Sequence, residues 1–321
     1  MPPPAILTQF TGADVQRYLR AICSAPTADF SPTNLLNTAI LPDRAIDAIA
    51  GNDLHRQAGS CRRERVTEFG TEFPLWAMRV CQGQNQGAWV CSTIGAWSSP
   101  GSQAVITVER LDAEGIGGTY IGPLCGPNKN NPHSGDGNIN YGSDRSWTKS
   151  SNGGGRKGFS FYGTENLADQ NARLFRPNTD FSHASASLVG VGWRVEIIGW
   201  DPNYGGAGVG AGYHWTAATN QRIWEYSNPA GVPNDPVDDP SGSDPTGAVG
   251  NGGDLSSPDG RMAFGSVMYG SNATAATPWV NYFEGALAHC SYFVGAAADS
   301  IHLHKTTICT VVQASIDAAV V

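Results

Sequence analysis

The sequence predicts an all-β protein: an antiparallel jelly-roll β-sandwich with a short N-terminal helical segment and long surface loops. Three observations carry this. Residues 188 to 215 read as two strands around a tight turn, and four more strand-like segments follow one another at near-regular spacing between residues 61 and 111. The chain also holds 40 Gly and 20 Pro with only 15% charged residues. That composition is rich in turns, yet its 40% hydrophobic content is too high for a disordered chain. At 321 residues it is long enough to bury a sizeable core.

In chain order, Pro2 to Pro4 is an extended lead-in. Gly12 to Ala21 reads as a helix with Val15, Leu19 and Ile22 on one face and Arg17 and Arg20 off it. Arg44 to Ala50 reads as a second short helix. Cys61 to Phe69, Phe73 to Gln82, Ala88 to Trp97 and Ala104 to Leu111 then read as strands between glycine-rich turns. Four strands in a row favour a sandwich or barrel over an α/β fold.

Val189 to Trp200 places Val191, Trp193, Val195 and Ile197 on one side with Arg194 and Glu196 between them, the period of a half-buried strand. Asp201 to Gly206 turns the chain, which runs out again through Val209, Ala211, Tyr213 and Trp215. Asn281 to Ala296 reads as a strand, Ala297 to Ser300 as a turn, and Ile301 to Ile316 as a closing strand through Ile308, Thr310 and Val312. Two such hairpins predict two sheets pressed together. Two loop excursions, residues 122–157 and 227–260, carry few large apolar residues and belong on the surface.

The balance of −8 is not spread evenly: residues 201–321 hold 3 basic and 11 acidic side chains, which account for all of it. A protein this acidic does not coat nucleic acid by itself, because phosphate binding needs clustered cations. The nearest such cluster is Arg62, Arg63 and Arg65 with Arg56. Seven cysteines without a Cys-x-x-Cys pair read as free thiols in a reducing compartment. No apolar run reaches membrane-span length, and the start has no signal-peptide pattern, which predicts synthesis in the cytosol and no membrane insertion.

Motifs with chemistry are sparse. His302 and His304 would share one face of the predicted closing strand, with His289 and Cys290 as neighbours, as in a metal-binding β-helix; two histidines on a sheet surface are the favoured reading. Asp235, Asp238, Asp239 and Asp244 have the oxygen density of a calcium site but the spacing of no standard loop. No Ser-His-Asp elbow, phosphate loop or dinucleotide fingerprint is present.

The run Ala21 to Phe30, the Ile40-Leu41-Pro42-Asp43 turn and Arg63 to Phe69 together resemble the start of the shell domain in nodavirus-like capsid proteins. The hairpin from Gly190 to Trp215 and the stretch from Cys290 to Ser315 are similar to the family's later strand pairs. The resemblance implies an inner segment over residues 1–55 and a jelly-roll shell domain over residues 56–321. It implies a coat protein, not an enzyme, made in the host cytoplasm and found in the virion, which self-assembles into an icosahedral shell. Its partners would be its own copies, a packaged genome, RNA in that family, and a host-cell receptor.

Under this resemblance Arg17, Arg20, Arg62, Arg63 and Arg65 would face the genome, and Asp235, Asp238 and Asp239 would hold calcium between subunits. Asp29 matches the family's cleavage-assisting aspartate. The only Asn-Ala pairs, at Asn171 and Asn272, fall inside the shell domain, so no maturation cleavage is expected. The alternative is a carbohydrate-binding β-sandwich module, which would also be rich in tryptophan and loops.

Overall fold

The computed structural model describes residues 12–22, 26–29, 44–56, 62–66, 75–80, 89–91, 102–112, 127–128, 146–151, 157–162, 192–201, 210–216, 225–228, 261–264, 266–268, 279–282 and 285–319. The first helix, α1, is Gly12–Ile22, followed by β1 (Ala28–Asp29), β2 (Arg44–Ala45), β3 (Leu54–Arg56), β4 (Arg62–Val66), β5 (Leu75–Val80), β6 (Trp89–Cys91) and β7 (Gln103–Leu111). Then come β8 (Pro127–Asn128), β9 (Ser146–Ser151), β10 (Lys157–Tyr162), β11 (Arg194–Asp201), β12 (Gly210–Thr216) and β13 (Glu225–Asn228). The chain closes with β14 (Arg261–Phe264), β15 (Ser266–Met268), β16 (Trp279–Tyr282), β17 (Gly285–Val294) and a second helix, α2 (Ala296–Ala319).

The chain is mostly β, and its strands pair antiparallel. The largest sheet runs β13-β12-β11-β7-β17-β5-β4, with β1 also on β17; a five-stranded sheet runs β2-β3-β6-β14-β8; β9-β10 and β15-β16 form two small sheets. The four strands expected between residues 61 and 111 are all present, as is the hairpin of β11 on β12, which pairs Ile197 with Trp215. Strands from the first 55 residues join sheets built by later ones: β1 pairs with β17 and β3 with β6.

Four expectations are corrected. Arg44 to Ala50 is not a helix: Arg44 and Ala45 pair with His55 and Leu54 in a sheet, and a turn follows. The excursion at 122–157 is not all loop, since it contains β8 and β9 and reaches the start of β10. Residues 301–316 are not a strand but the middle of α2, and residues 297–300 form its first turn rather than a hairpin bend.

The apparent alternation of Ile308, Thr310 and Val312 spans three positions only. Over the full 24 residues, Ala298, Ile301, Ile308, Val312 and Ile316 recur at helical spacing and are buried. Gly295, with φ of 58°, turns the chain out of β17 in the left-handed region that suits glycine. Asp299 sits in the first turn, where a negative charge meets the positive helix end. The hydroxyls of Thr310 and Ser315 donate back to the carbonyls of Thr306 and Val311 at 2.9 and 2.7 Å.

The fourth correction concerns where the core lies. β17 does not fold back on a strand after it; it runs between β7 and β5. The described core is a contact of sheet with helix: Ala104, Ile106 and Val108 of β7, Val195 and Ile197 of β11, and Phe293 of β17 pack with Ile301, Ile308, Val312 and Ile316 of α2 and with Val15, Tyr18 and Leu19 of α1. Nor is β11 half-buried as its period suggests. Arg194 and Glu196, on the opposite side of the strand from Val195, are 2% and 1% exposed.

Gln313 clamps α2 to the sheet. Its Oε1 accepts from Val195 N at 3.0 Å and its Nε2 donates to Trp193 O at 3.1 Å. Replacing Gln313 with Ala leaves both backbone groups without this partner, and urea unfolding should show a loss of about 1–3 kcal/mol. Thr306→Ala, on the exposed side of the same helix, should change stability by less than about 0.5 kcal/mol.

Candidate functional site

The three central strands of the large sheet hold apolar rows on their helix side, and two of these rows end in polar groups. Cross-strand pairs point to the same side of a sheet. Val195 pairs with Val108, and Val108 with His289. In the next row Ile197 pairs with Ile106, Ile106 with Ser291, and Ser291 with Asp29 of β1. His289, Ser291 and Asp29 therefore share the face that the helices cover, and all three are fully buried.

The register that brings them there depends on an irregularity in β17 between Leu287 and His289. One extra residue at such a bulge switches which side chains face which way. Without it, His289 would face away from α2.

Within the group, His289 Nε2 and Ser291 Oγ lie 3.0 Å apart and share a hydrogen bond. Burial drives the imidazole down from 6.5 to about 3, because a charged ring there would lose its hydration. The ring is therefore neutral at neutral pH, the state in which it can take a proton from a hydroxyl. Both groups are fully buried.

Asp29 is held by its backbone. Its N–H donates to Asp47 Oδ1 at 3.0 Å, and its carbonyl accepts from Ala48 N at 2.9 Å. Asp47 is the hub of the following turn: Oδ1 also accepts from Ile49 N at 3.0 Å, and Oδ2 accepts from Ala50 N and Asn52 N at 3.2 Å each. Gly51, at φ of 74°, lets the backbone close around that carboxylate. Asp53 accepts from Asp47 N at 3.0 Å and pairs with Arg44 at 3.4 Å.

The opposite side of the same strands is buried and strongly polar. Gln103, Thr107 and Glu109 of β7, Arg194 and Glu196 of β11, and Tyr292 of β17 are each at most 2% exposed. Tyr292 Oη donates to Gln103 Oε1 at 3.1 Å, and Thr107 Oγ1 to Glu109 Oε2 at 3.1 Å. Burial pushes the Arg194 guanidinium down while the Glu196 carboxylate beside it opposes that shift; burial pushes the Tyr292 phenol up. Arg194 also pairs across strands with Glu109.

The residues singled out from sequence fall in several places. Asp29 is in the buried group. Arg20 is exposed on α1; Arg17 lies on the same helix, and its side chain is outside the described residues. Arg62, Arg63 and Arg65 share β4, the last strand of the large sheet on that side. Asp235, Asp238, Asp239 and both Asn-Ala pairs lie outside the described residues.

His302 and His304 do not share a face, because two positions along a helix turn the side chain by about 200°. His302 is buried and His304 half-buried. Among the described residues no three His, Cys, Asp or Glu side chains are grouped to hold a metal. Cys290 and Cys309 are buried and form no disulfide. Sequence reasoning missed Ser291 and its contact with His289; their i, i+2 spacing on a strand was the available signal.

No protein-family model and no curated protein matches the chain. Among solved structures, it is similar to the exoplasmic/lumenal domain of VIP36 in its metal-free form, at 6% identity over 75% of this chain and 84% of that one, with a TM-score of 0.36. It is similar to the binding domain of botulinum neurotoxin serotype C1, at 8% identity over 87% of this chain and 51% of that one, TM-score 0.38. It is also similar to the alginate lyase vAL-1 from Chlorella virus, at 9% identity over 90% of this chain and all (100%) of that one, TM-score 0.33. Likenesses this distant assign neither a family nor a ligand.

Two measurements check the site. Asp47→Ala removes the acceptor of four N–H groups and should cost about 2–4 kcal/mol in chemical denaturation. The pH test follows from His289, whose imidazole is held near 3 when folded against 6.5 in the unfolded chain. Between those values the unfolded chain binds the extra proton, so stability falls as pH falls through the window, by up to about 1.4 kcal/mol per pH unit. His289→Gln should remove that pH-dependent component.

Proposed function

We propose that this chain is the coat protein of a small icosahedral virus, a jelly-roll subunit that assembles with its own copies into a shell around a genome. The single observation that carries the reading is the layer formed by the two helices. α1, from one end of the chain, and α2, from the other, pack together in one core against the same face of the antiparallel sheet. The shell resemblance implies a short inner helix leading through a Pro/Asp/Phe segment into the first shell strand, and α1, β1 and β4 follow one another in that order.

In this reading the helical layer faces inward and carries the exposed Arg20 toward the packaged nucleic acid, with Arg17, Arg62, Arg63 and Arg65 as further cations. The sheets supply rigid sides for neighbouring subunits. The acidic stretch containing Asp235, Asp238 and Asp239 faces outward, where calcium could be shared between subunits and a host receptor met. A shell contact need not be strong in isolation, because a closed symmetric assembly repeats it many times.

Light scattering after size-exclusion chromatography, with negative-stain microscopy, tests the proposal. Uniform closed particles are the expected result. A monomer or dimer that persists across salt and pH overturns the shell reading and directs the next experiment to glycan binding, the function of the alternative sandwich module.

A further inference from the structure

The register of the large sheet sets arginines in one cross-strand row. Arg62 of β4 pairs with Arg79 of β5, Arg79 with Ala286 of β17, and Ala286 with Arg110 of β7. Ala286 belongs to the core cluster that α1 and α2 build with the sheet, and cross-strand neighbours share a side. The register therefore assigns Arg79 and Arg62 to the helix side. Successive residues of a strand alternate between the two sides, so Arg63 and Arg65 fall on the other one, opposite Met78 and Trp76. Arginines adjacent in sequence are split by the sheet, and Arg62 is joined to one from the next strand.

We propose that the helix side of β4 and β5, marked by Arg62 and Arg79, is a binding strip for the phosphate backbone of single-stranded nucleic acid. The choice of nucleic acid rests on the shell reading. The strip narrows that reading's cations on β4 to Arg62 and adds Arg79.

The first argument is electrostatic. Like charges directly opposite on neighbouring strands destabilise a sheet, and Arg62 stands directly opposite Arg79. Glu64 is assigned to the same side in the next row, opposite Ala77. That is one carboxylate for two arginines, and a bound phosphate supplies the second negative charge. The far end of the row is already neutralised. Arg110 donates to both carboxylate oxygens of Asp112, at 2.6 and 3.2 Å, and lies 5.0 Å from the centre of the Trp193 ring, so it is not part of the strip.

The second argument is position. α2 packs on β12, β11, β7 and β17, and β5 and β4 come after β17 in the sheet order. The strip thus continues the helix side of the sheet past the strands on which α2 packs. Arg20, exposed on α1, adds a cation to the same layer. A line of separate arginines suits a polymer that carries a charge on every unit, and the forked guanidinium suits phosphate oxygens. Phosphate contacts carry no sequence information, so binding at the strip is indifferent to base sequence.

Fluorescence anisotropy with labelled oligouridylate tests the proposal, on the full chain kept as unassembled subunits and checked by light scattering. The logarithm of the binding constant should fall linearly with that of the salt concentration, with about 0.7 of slope for each phosphate neutralised. Arg62→Gln combined with Arg79→Gln should reduce the slope by about 1.4, and the corresponding pair of Lys substitutions should keep it. Arg63→Gln with Arg65→Gln should leave the slope of the parent chain, and oligoadenylate should give the same pattern. Inorganic phosphate should compete no better than its ionic strength explains.

A parent chain that does not bind at low salt overturns the proposal, as does an unchanged slope in the Arg62 and Arg79 variant. An equal loss in the Arg63 and Arg65 variant overturns it by assigning binding to net charge, and specific competition by phosphate overturns it in favour of a small-anion site. Should the double variant fail to fold, each single variant is read against a drop of about 0.7. Closed particles with unchanged slopes overturn this inference alone. The expected slopes from a chain that never forms particles overturn the shell reading and leave the strip.

Discussion

The structure depends on one contact, the covering of the apolar side of β7, β11 and β17 by α2. Three adjacent strands expose a wide hydrophobic face, and water in contact with it would cost about 25 cal/mol for every Å² left open. Ile301, Ile308, Val312 and Ile316 close it along the length of the helix, with Val15 and Leu19 of α1 completing the cluster. The two ends of the chain are thereby tied to its centre, which limits how the intervening strands can be arranged.

That contact also sets the chemistry of what lies beneath it. A β-bulge in β17 turns His289 and Ser291 to the covered side, and full burial keeps the imidazole neutral. The same pair on an open surface would be a plausible base and hydroxyl for catalysis. Under the helices it is a titratable element of the core. The other side of the sheet shows the complementary solution, in which Arg194, Glu109 and Glu196 are buried close to one another, since a buried charge without compensation is costly. Such a polar face rewards one register of the three strands over its neighbours, because a slip of one residue would move its charges to the apolar side.

Much of the architecture was legible in the sequence. The α1 face of Val15, Leu19 and Ile22, the strands between residues 61 and 111 and the β11–β12 hairpin follow from periodicity and turn residues, which act within a few positions. The candidate site was legible only in part. Asp29 was noticed through a resemblance and His289 as a possible metal ligand, but Ser291 gave no signal beyond its spacing from His289. Asp29 reaches Ser291 only through the pairing of β1 with β17, and no local pattern encodes a contact between the two ends of a chain.

The sequence by itself determined the β-rich class, the uneven charge and the principal turns, because composition, alternation and glycine or proline geometry are properties of neighbouring residues. Tertiary structure alone decided that residues 296–319 are a helix, that β11 is buried on both sides and that His289 meets Ser291 in a closed space. Ile, Val and Thr suit a strand slightly better than a helix, and that preference is worth a fraction of a kcal/mol per residue. Burial of a whole helical stripe against the sheet outweighs it, and the outcome became visible only once the partner face was in place.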